Sequence, residues 1–201
     1  MSDDNDAESE GAVARFWDFS IAVYGAPDVA AACLALQDSL GLNINLLLFC
    51  CWSATEGTSA LGGAKIAQAV AAIRPWQKRS VDPLRAIRRD LKNPVDGLDD
   101  PSRESFRKHV ATIELEAERI AQRLLVAAVP VAADVGPALS ERLAAGAANV
   151  VDYAASFGAD PAAQRTGLTV VLSTALGVTS AAADLAIETA IRSRAAESAA
   201  L

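Results

Sequence analysis

Residues 106–127 read FRKHVATIELEAERIAQRLLVA, and this stretch decides the fold class. Phe106, Val110, Ile113, Ala117, Ile120, Leu124 and Ala127 recur at alternating steps of four and three. An α-helix turns once in about 3.6 residues, so these side chains share one apolar seam about three heptads long. Arg107, Lys108, Glu114, Glu118, Arg119 and Arg123 flank it, as expected where a helix meets water beside its buried stripe. Two packings satisfy such a seam: burial on the chain's own core, or a homodimer through the 106–127 helix. Leu115 lies off the seam and marks a second, weaker contact face.

Helix punctuation repeats on both sides of this segment. Asp100 caps a helix that opens on Pro101, and Pro130 stops it, because proline fits a first turn but removes a hydrogen bond from an interior one. Upstream, a helix over Val13–Tyr24 ends at Gly25, and Pro27 with Asp28 starts the next. In that next helix Val29, Cys33, Leu36 and Leu40 share a face, and Gly41 suits its C-terminal cap. Asn43 suits an N-cap. From Ile44 to Trp52 every residue but Asn45 is apolar, which predicts a central core helix too short to span a bilayer.

Residues 64–92 read as a helical stretch broken or kinked near Pro75 and Pro83, followed by a Pro-, Asp- and Gly-rich loop. After Pro130, Pro137 opens a helix with Leu139, Leu143, Ala147, Val150, Ala154 and Phe157 on one side, and Asp160-Pro161 starts another. Thr166 to Ala183 carries no charge. Its hydroxyl residues dilute the run and Gly177 interrupts it, which predicts two short buried helices rather than a transmembrane segment.

Composition agrees: 52% of the 201 residues are hydrophobic but only 5% aromatic, and alanine is abundant. Such a chain favours helices packed through small side chains over strands. The expected fold is all-α, a multi-helix bundle of about seven to nine helices with no sheet. Three parts are expected: a disordered acidic tail over 1–12, a helical domain over 13–128, and an Ala-rich helical extension over 129–201.

The net charge of −7 argues against indiscriminate nucleic-acid binding. Residues 1–10 hold Asp3, Asp4, Asp6, Glu8 and Glu10 and no basic residue. This is the reverse of a signal peptide, so a cytoplasmic location is expected. The three cysteines, Cys33, Cys50 and Cys51, have neither a disulfide framework nor metal-ligand spacing, and read as buried small hydrophobes.

Three segments in order carry a family resemblance: Phe16-Trp17-Asp18-Phe19-Ser20, Cys33-Leu34-Ala35-Leu36-Gln37-Asp38, and Asn43-Ile44-Asn45-Leu46-Leu47-Leu48 with Cys51-Trp52. Pro75-Trp76, the basic Pro83-Leu84-Arg85 and the acidic Glu114–Arg119 run extend the pattern. Together, over about residues 13 to 127, the chain resembles a proteobacterial family of uncharacterised helical proteins. The resemblance implies a helical bacterial protein of unknown function and supplies no catalytic residues.

The residues themselves offer little catalysis. His109 is the sole histidine and sits in a charged stretch; no Gly-Xaa-Ser-Xaa-Gly elbow and no phosphate-cradling glycine loop is present. Zinc is disfavoured by the shortage of soft ligands. Asp96, Asp99 and Asp100 could be compared with magnesium-binding Asp clusters, but turn formation and capping explain them better. No catalytic, metal or cofactor-binding residue is therefore assigned, and no cofactor is expected.

Two candidate sites remain. Arg74, Lys78, Arg79, Arg85, Arg88, Arg89 and Lys92 oppose only Asp82 and Asp90. On a continuous helix at about 100° per residue, positions 74, 78, 85, 89 and 92 fall within about 60° of one another. This basic face, Arg74, Lys78, Arg85, Arg88, Arg89 and Lys92, either is simply solvated or meets a partner. A protein partner leads, with a phosphate-bearing partner or an anionic membrane surface as alternatives. The acidic tail would also be complementary to it. The second candidate is a small polar pocket near the core, drawn from Trp17, Asp18, Asp38, Asn45 and Trp52. The leading expectation is a non-enzymatic interaction or adaptor protein; the alternative is a helical protein with a small-molecule pocket, which would admit an enzyme.

Overall fold

The apolar segment after Asn43 becomes the centre of the molecule. The structure, a computed structural model, describes the backbone of all residues except Met1, Ala132, Val135, Ala159, Ala200 and Leu201; the side chains of residues 2–7 and Ser198 also lie outside the description. Helices α1 (Ser2–Tyr24), α2 (Val29–Leu40), α3 (Ile44–Thr55), α4 (Gly62–Trp76), α5 (Asp82–Asp90), α6 (Asp100–Ala128), α7 (Leu139–Ala155), α8 (Arg165–Leu176) and α9 (Ser180–Ala199) follow in order. Among the described residues no strand forms, and the fold is an all-α multi-helix bundle.

Local chemistry sets several boundaries. Asn43 Oδ1 accepts from the Leu46 N–H and caps α3, and Gly41 closes α2 in the left-handed conformation. Asp99, one residue earlier than expected, caps α6 by accepting from the Ser102 N–H at 2.9 Å. The helix α2 begins at Val29, so Pro27 stays outside it and Asp28 takes a positive φ of 66°. The backbone of α1 is helical from Ser2, inside the stretch expected to be disordered. Screening by Asp3, Asp4 and Asp6 concerns side chains outside the described set.

Of the breaks or kinks expected near Pro75 and Pro83, Pro75 lies inside α4, and a single π-helical turn, Gln77–Val81, joins α4 to α5 just before Pro83. Pro83 has no N–H to offer the carbonyl one turn back, and its ring crowds that carbonyl. A wider turn just before it relieves the clash and resets the helical phase.

The helix α3 packs against α1, α6, α7 and α8, and its residues from Asn45 to Ala54 are all buried. Phe16 of α1 stacks on Trp52 at 5.0 Å and meets Phe49 edge-on at 5.5 Å. One apolar cluster runs from this aromatic group through Leu125 to Val150, Leu168 and Ile187, continuous across residue 128. The three cysteines lie in it as free thiols; burial pushes Cys33 up to about 12 and raises the other two as well. Gly146 lets α7 approach closely: a Cβ there would lie 2.9 Å from Leu172 and 3.3 Å from Ala54.

The seam of α6 is turned from its expected position. Val110, Glu114, Ala117, Ala121, Gln122 and Leu125 are buried, while Phe106 is 56% and Ile113 50% exposed. The rotation carries Glu114 and Gln122 inward to polar partners, leaving one edge of the seam in water. The uncharged run 166–183 becomes α8 and the start of α9, separated at Gly177. Among the described residues no single helix is long and apolar enough to cross a membrane.

Candidate functional site

The inward turn of α6 builds a cleft against α1, α2, α3 and α5. Trp17, Ser20, Ile21 and Tyr24 come from α1, Leu34 and Gln37 from α2, and Asn45 and Leu48 from α3. Arg85, Arg88 and Arg89 of α5 face Glu114, Leu115, Glu118 and Gln122 of α6 across it. The cleft holds about 210 Å³, well beyond the roughly 10–15 Å³ that one water requires.

Its wall of charge is internally matched. Arg85 Nη2 donates to Glu118 at 2.5 Å and its Nε to Glu114 at 3.2 Å. Arg88 donates to both oxygens of Glu114, and this hydrogen bond raises the Arg88 pKa above its usual range. Glu114 is 6% exposed; burying a carboxylate this deep is costly unless it is paired and hydrogen-bonded, as it is here. Arg89 reaches exposed Asp38 at 3.7 Å.

The floor is a directed chain of amides. Asn45 Nδ2 donates to Glu118 Oε2 at 2.8 Å. Because an ionised carboxylate only accepts, Asn45 must present its amide nitrogen there, which leaves its Oδ1 facing Gln122. Gln122 Nε2 therefore donates to Asn45 Oδ1 at 2.9 Å and to Ser20 Oγ at 3.0 Å, and Ser20 donates on to the Phe16 carbonyl. The orientation of Gln122 is thereby fixed, and its Oε1 is buried without a donor although the residue is only 2% exposed.

The rim is apolar. Ile21 is 52%, Leu115 51% and Leu34 43% exposed. Arg119 lies 5.3 Å over the Trp17 ring, and burial raises the Tyr24 pKa, keeping its hydroxyl protonated.

The two sequence-predicted sites thus merge in part. Trp17 and Asn45 line the cleft, and Asp38 touches it through Arg89. Asp18 is exposed, and Trp52 is sealed in the core at 1%. From the basic set, Arg85, Arg88 and Arg89 line this cleft, whereas Arg74 and Lys78 border a separate hollow with Tyr153 and Phe157. Lys92 is exposed beyond α5. The π turn between the two groups resets the phase on which the single basic face depended.

Sequence reasoning missed Ser20, Gln122, Glu114 and Glu118 as members. A signal existed in the second stripe of α6, where Val110, Ala117, Ala121 and Leu125 enclose Glu114 and sit beside Gln122. Among the described residues no group of three or more His, Cys, Asp or Glu is arranged to hold a metal ion.

The profile of a family described as "Protein of unknown function (DUF2390)" matches residues 15–125. No curated protein and no solved structure matches the chain. The matched segment contains every residue of the cleft, from Trp17 to Gln122. Since it spans more than half of the 201 residues, the chain belongs to this DUF2390 family.

Proposed function

We propose that this protein is a non-enzymatic binding protein whose receiving site is the cleft between α1, α2, α5 and α6. The observation carrying this reading is a cleft of about 210 Å³ with an exposed apolar rim and a polar floor, where the buried Oε1 of Gln122 has no donor. A buried acceptor without a partner costs about 1–3 kcal/mol, and structural polar networks close on themselves. This one leaves the Oε1 of Gln122 without a donor, and Gln122 is among the residues lining the cleft. Binding rather than catalysis is supported by the engagement of the other polar groups: both glutamates hold arginines, and Ser20 donates to the Phe16 carbonyl. A reducing, cytoplasmic setting is consistent with the free thiols of Cys33, Cys50 and Cys51.

A fragment library screened by amide NMR shifts tests the reading. Hits should cluster on α1, α5 and α6 and vanish in a Leu115→Trp variant, whose indole fills the mouth. Hits elsewhere only, or unaffected by that variant, sink it.

A second reading, protein interaction, has its own support. Phe106, Ile113 and Ile120 are a heptad apart on α6, and the least exposed of them is 39% accessible. Such a stripe suits a helix partner or a second copy of the chain. Arg74, Lys78, Arg89 and Lys92 are exposed and would supply a basic contact for an acidic or phosphate-bearing protein. Sedimentation of Ile113→Glu beside the parent chain tests the stripe: loss of a dimer supports self-association, and a monomeric parent removes it.

A further inference from the structure

We propose a second binding site, for a small aromatic monoanion such as an aryl carboxylate, in the hollow where α4 and the π turn face Tyr153 and Phe157. It shares no lining residue with the α1–α6 cleft and does not depend on the reading given to that cleft.

Charge selects the head group. Arg74 and Lys78 lie one helical turn apart and both border the hollow. The arginines of α5 are held by carboxylates. Among the described residues neither Arg74 nor Lys78 enters an ion pair. Asp82 also lines the hollow, and its Oδ1 accepts from Gln77 Nε2 at 2.6 Å. The π turn favours that contact, because it brings residues five apart into register. Two cations and one carboxylate leave a single net positive charge, which one anionic group neutralises. An ammonium is repelled, and a dianion carries a charge that nothing at the hollow matches.

Shape and hydrogen bonding select the body. The hollow holds about 220 Å³. An apolar cavity of roughly 150 Å³ admits benzene, so one ring with a small head group fits. Phe157 is 43% exposed and stands edge-on to buried Tyr153 at 5.4 Å, which leaves an aromatic surface for a second ring. The neutral polar groups are engaged with one another. Tyr153 Oη accepts from the Asn43 N–H and donates to the Asn43 carbonyl. Asn43 Nδ2 donates to Gln77 Oε1, and Asn43 Oδ1 accepts from the Leu46 N–H. Recognition is therefore left to the two cations and the ring of Phe157, all exposed side chains that a solute reaches directly.

The test uses the full chain and five probes: benzoate, benzyl alcohol, benzylammonium, acetate and phthalate. Each is titrated by amide NMR shifts and by calorimetry. Benzoate should move the amides of Gly41, Gln77 and Phe157 and bind at least about threefold more tightly than every other probe. Arg74→Met and Lys78→Met should each weaken benzoate about three- to fivefold, and Phe157→Ser should weaken it several-fold. All three side chains are exposed, so the fold tolerates these changes. Raising salt from about 0.05 M to about 0.5 M should weaken benzoate and leave benzyl alcohol unchanged. Undiminished benzoate affinity in the double variant Arg74→Met with Lys78→Met, or in Phe157→Ser, overturns the site. Benzyl alcohol binding as tightly as benzoate overturns selection by charge, acetate doing so overturns selection of a ring, and tighter phthalate binding overturns the single charge. Benzoate shifts confined to the α1–α6 cleft, or no shift at all, overturn the proposal and leave the reading of the cleft untouched.

Discussion

Two buried amides lie on different sides of α3. Asn149 of α7 is fully enclosed: its Nδ2 donates to the Cys50 carbonyl and to Ser53 Oγ, and its Oδ1 accepts from the Leu61 N–H at 2.7 Å. Each of its polar atoms has a partner, and the helices around it pack through Gly146, Ala147 and Ala154. Gln122 of α6 is almost as buried, yet its carbonyl has no donor and its neighbours are charged pairs and exposed apolar side chains. The same functional group thus locks the alanine-rich side of the molecule and leaves the α5–α6 side open. What separates structure from site here is closure of the network, not burial.

The comparison predicts unequal costs. Asn149→Ala strands the Leu61 N–H and leaves a void, and should destabilise the fold by about 3 kcal/mol in urea unfolding. A loss below about 1 kcal/mol would mean that Asn149 is not the lock described. Glu114→Gln on the cleft side removes the charge that holds Arg85 and Arg88, with an expected loss of about 2–3 kcal/mol. Combining it with Arg88→Met should recover part of that loss; a purely additive double variant would count against the pairing.

Smaller effects sharpen the contrast. Gly146→Ala pushes a methyl against Leu172 and Ala54 and should cost about 1–2 kcal/mol. Thermal melts would show whether the close approach of α7 is as tight as the geometry indicates. Alkaline pH acts on the core thiols. The thiol of Cys33 is held neutral up to about 12 in the fold against an ordinary 9.0. The unfolded chain therefore loses its proton first, so this stability is complete below pH 9 and declines as pH rises through the window from 9 to about 12. Urea midpoints measured across pH 8 to about 10.5 should fall, and Cys33→Ala should flatten that fall. Least costly should be Gln122→Met, at about 1 kcal/mol: it takes the donor from buried Asn45 Oδ1 but also deletes a carbonyl that had none, and the two effects largely offset. A cost equal to that of Asn149→Ala would erase the distinction between the two sides.

Legibility differed along the chain for physical reasons. The capping of α3 by Asn43, the closure of α2 at Gly41 and the break at Gly177 were readable because each depends on a few adjacent residues. The face that α6 buries was not. Its seam from Phe106 to Ala127 and its second stripe from Val110 to Leu125 are both helical in period. Only the presence of Arg85, Arg88 and Asn45 opposite makes burial of Glu114 and Gln122 tolerable. The basic residues were legible as a cluster but not as two groups, since a π turn lies between them and local propensity does not announce one.

By itself the sequence determined that this chain is helical, where most of its helices begin and end, and which segment forms the centre. These follow from periodicity, backbone preference and capping, which act over one or two turns. The tertiary structure alone decided which charges are matched, which aromatic residues are sealed in the core, and that a glutamine carbonyl near the middle of the matched family segment is left without a donor. Those outcomes depend on the rotation of each helix about its own axis, which is set by partners from residues 20 to 122 meeting in space.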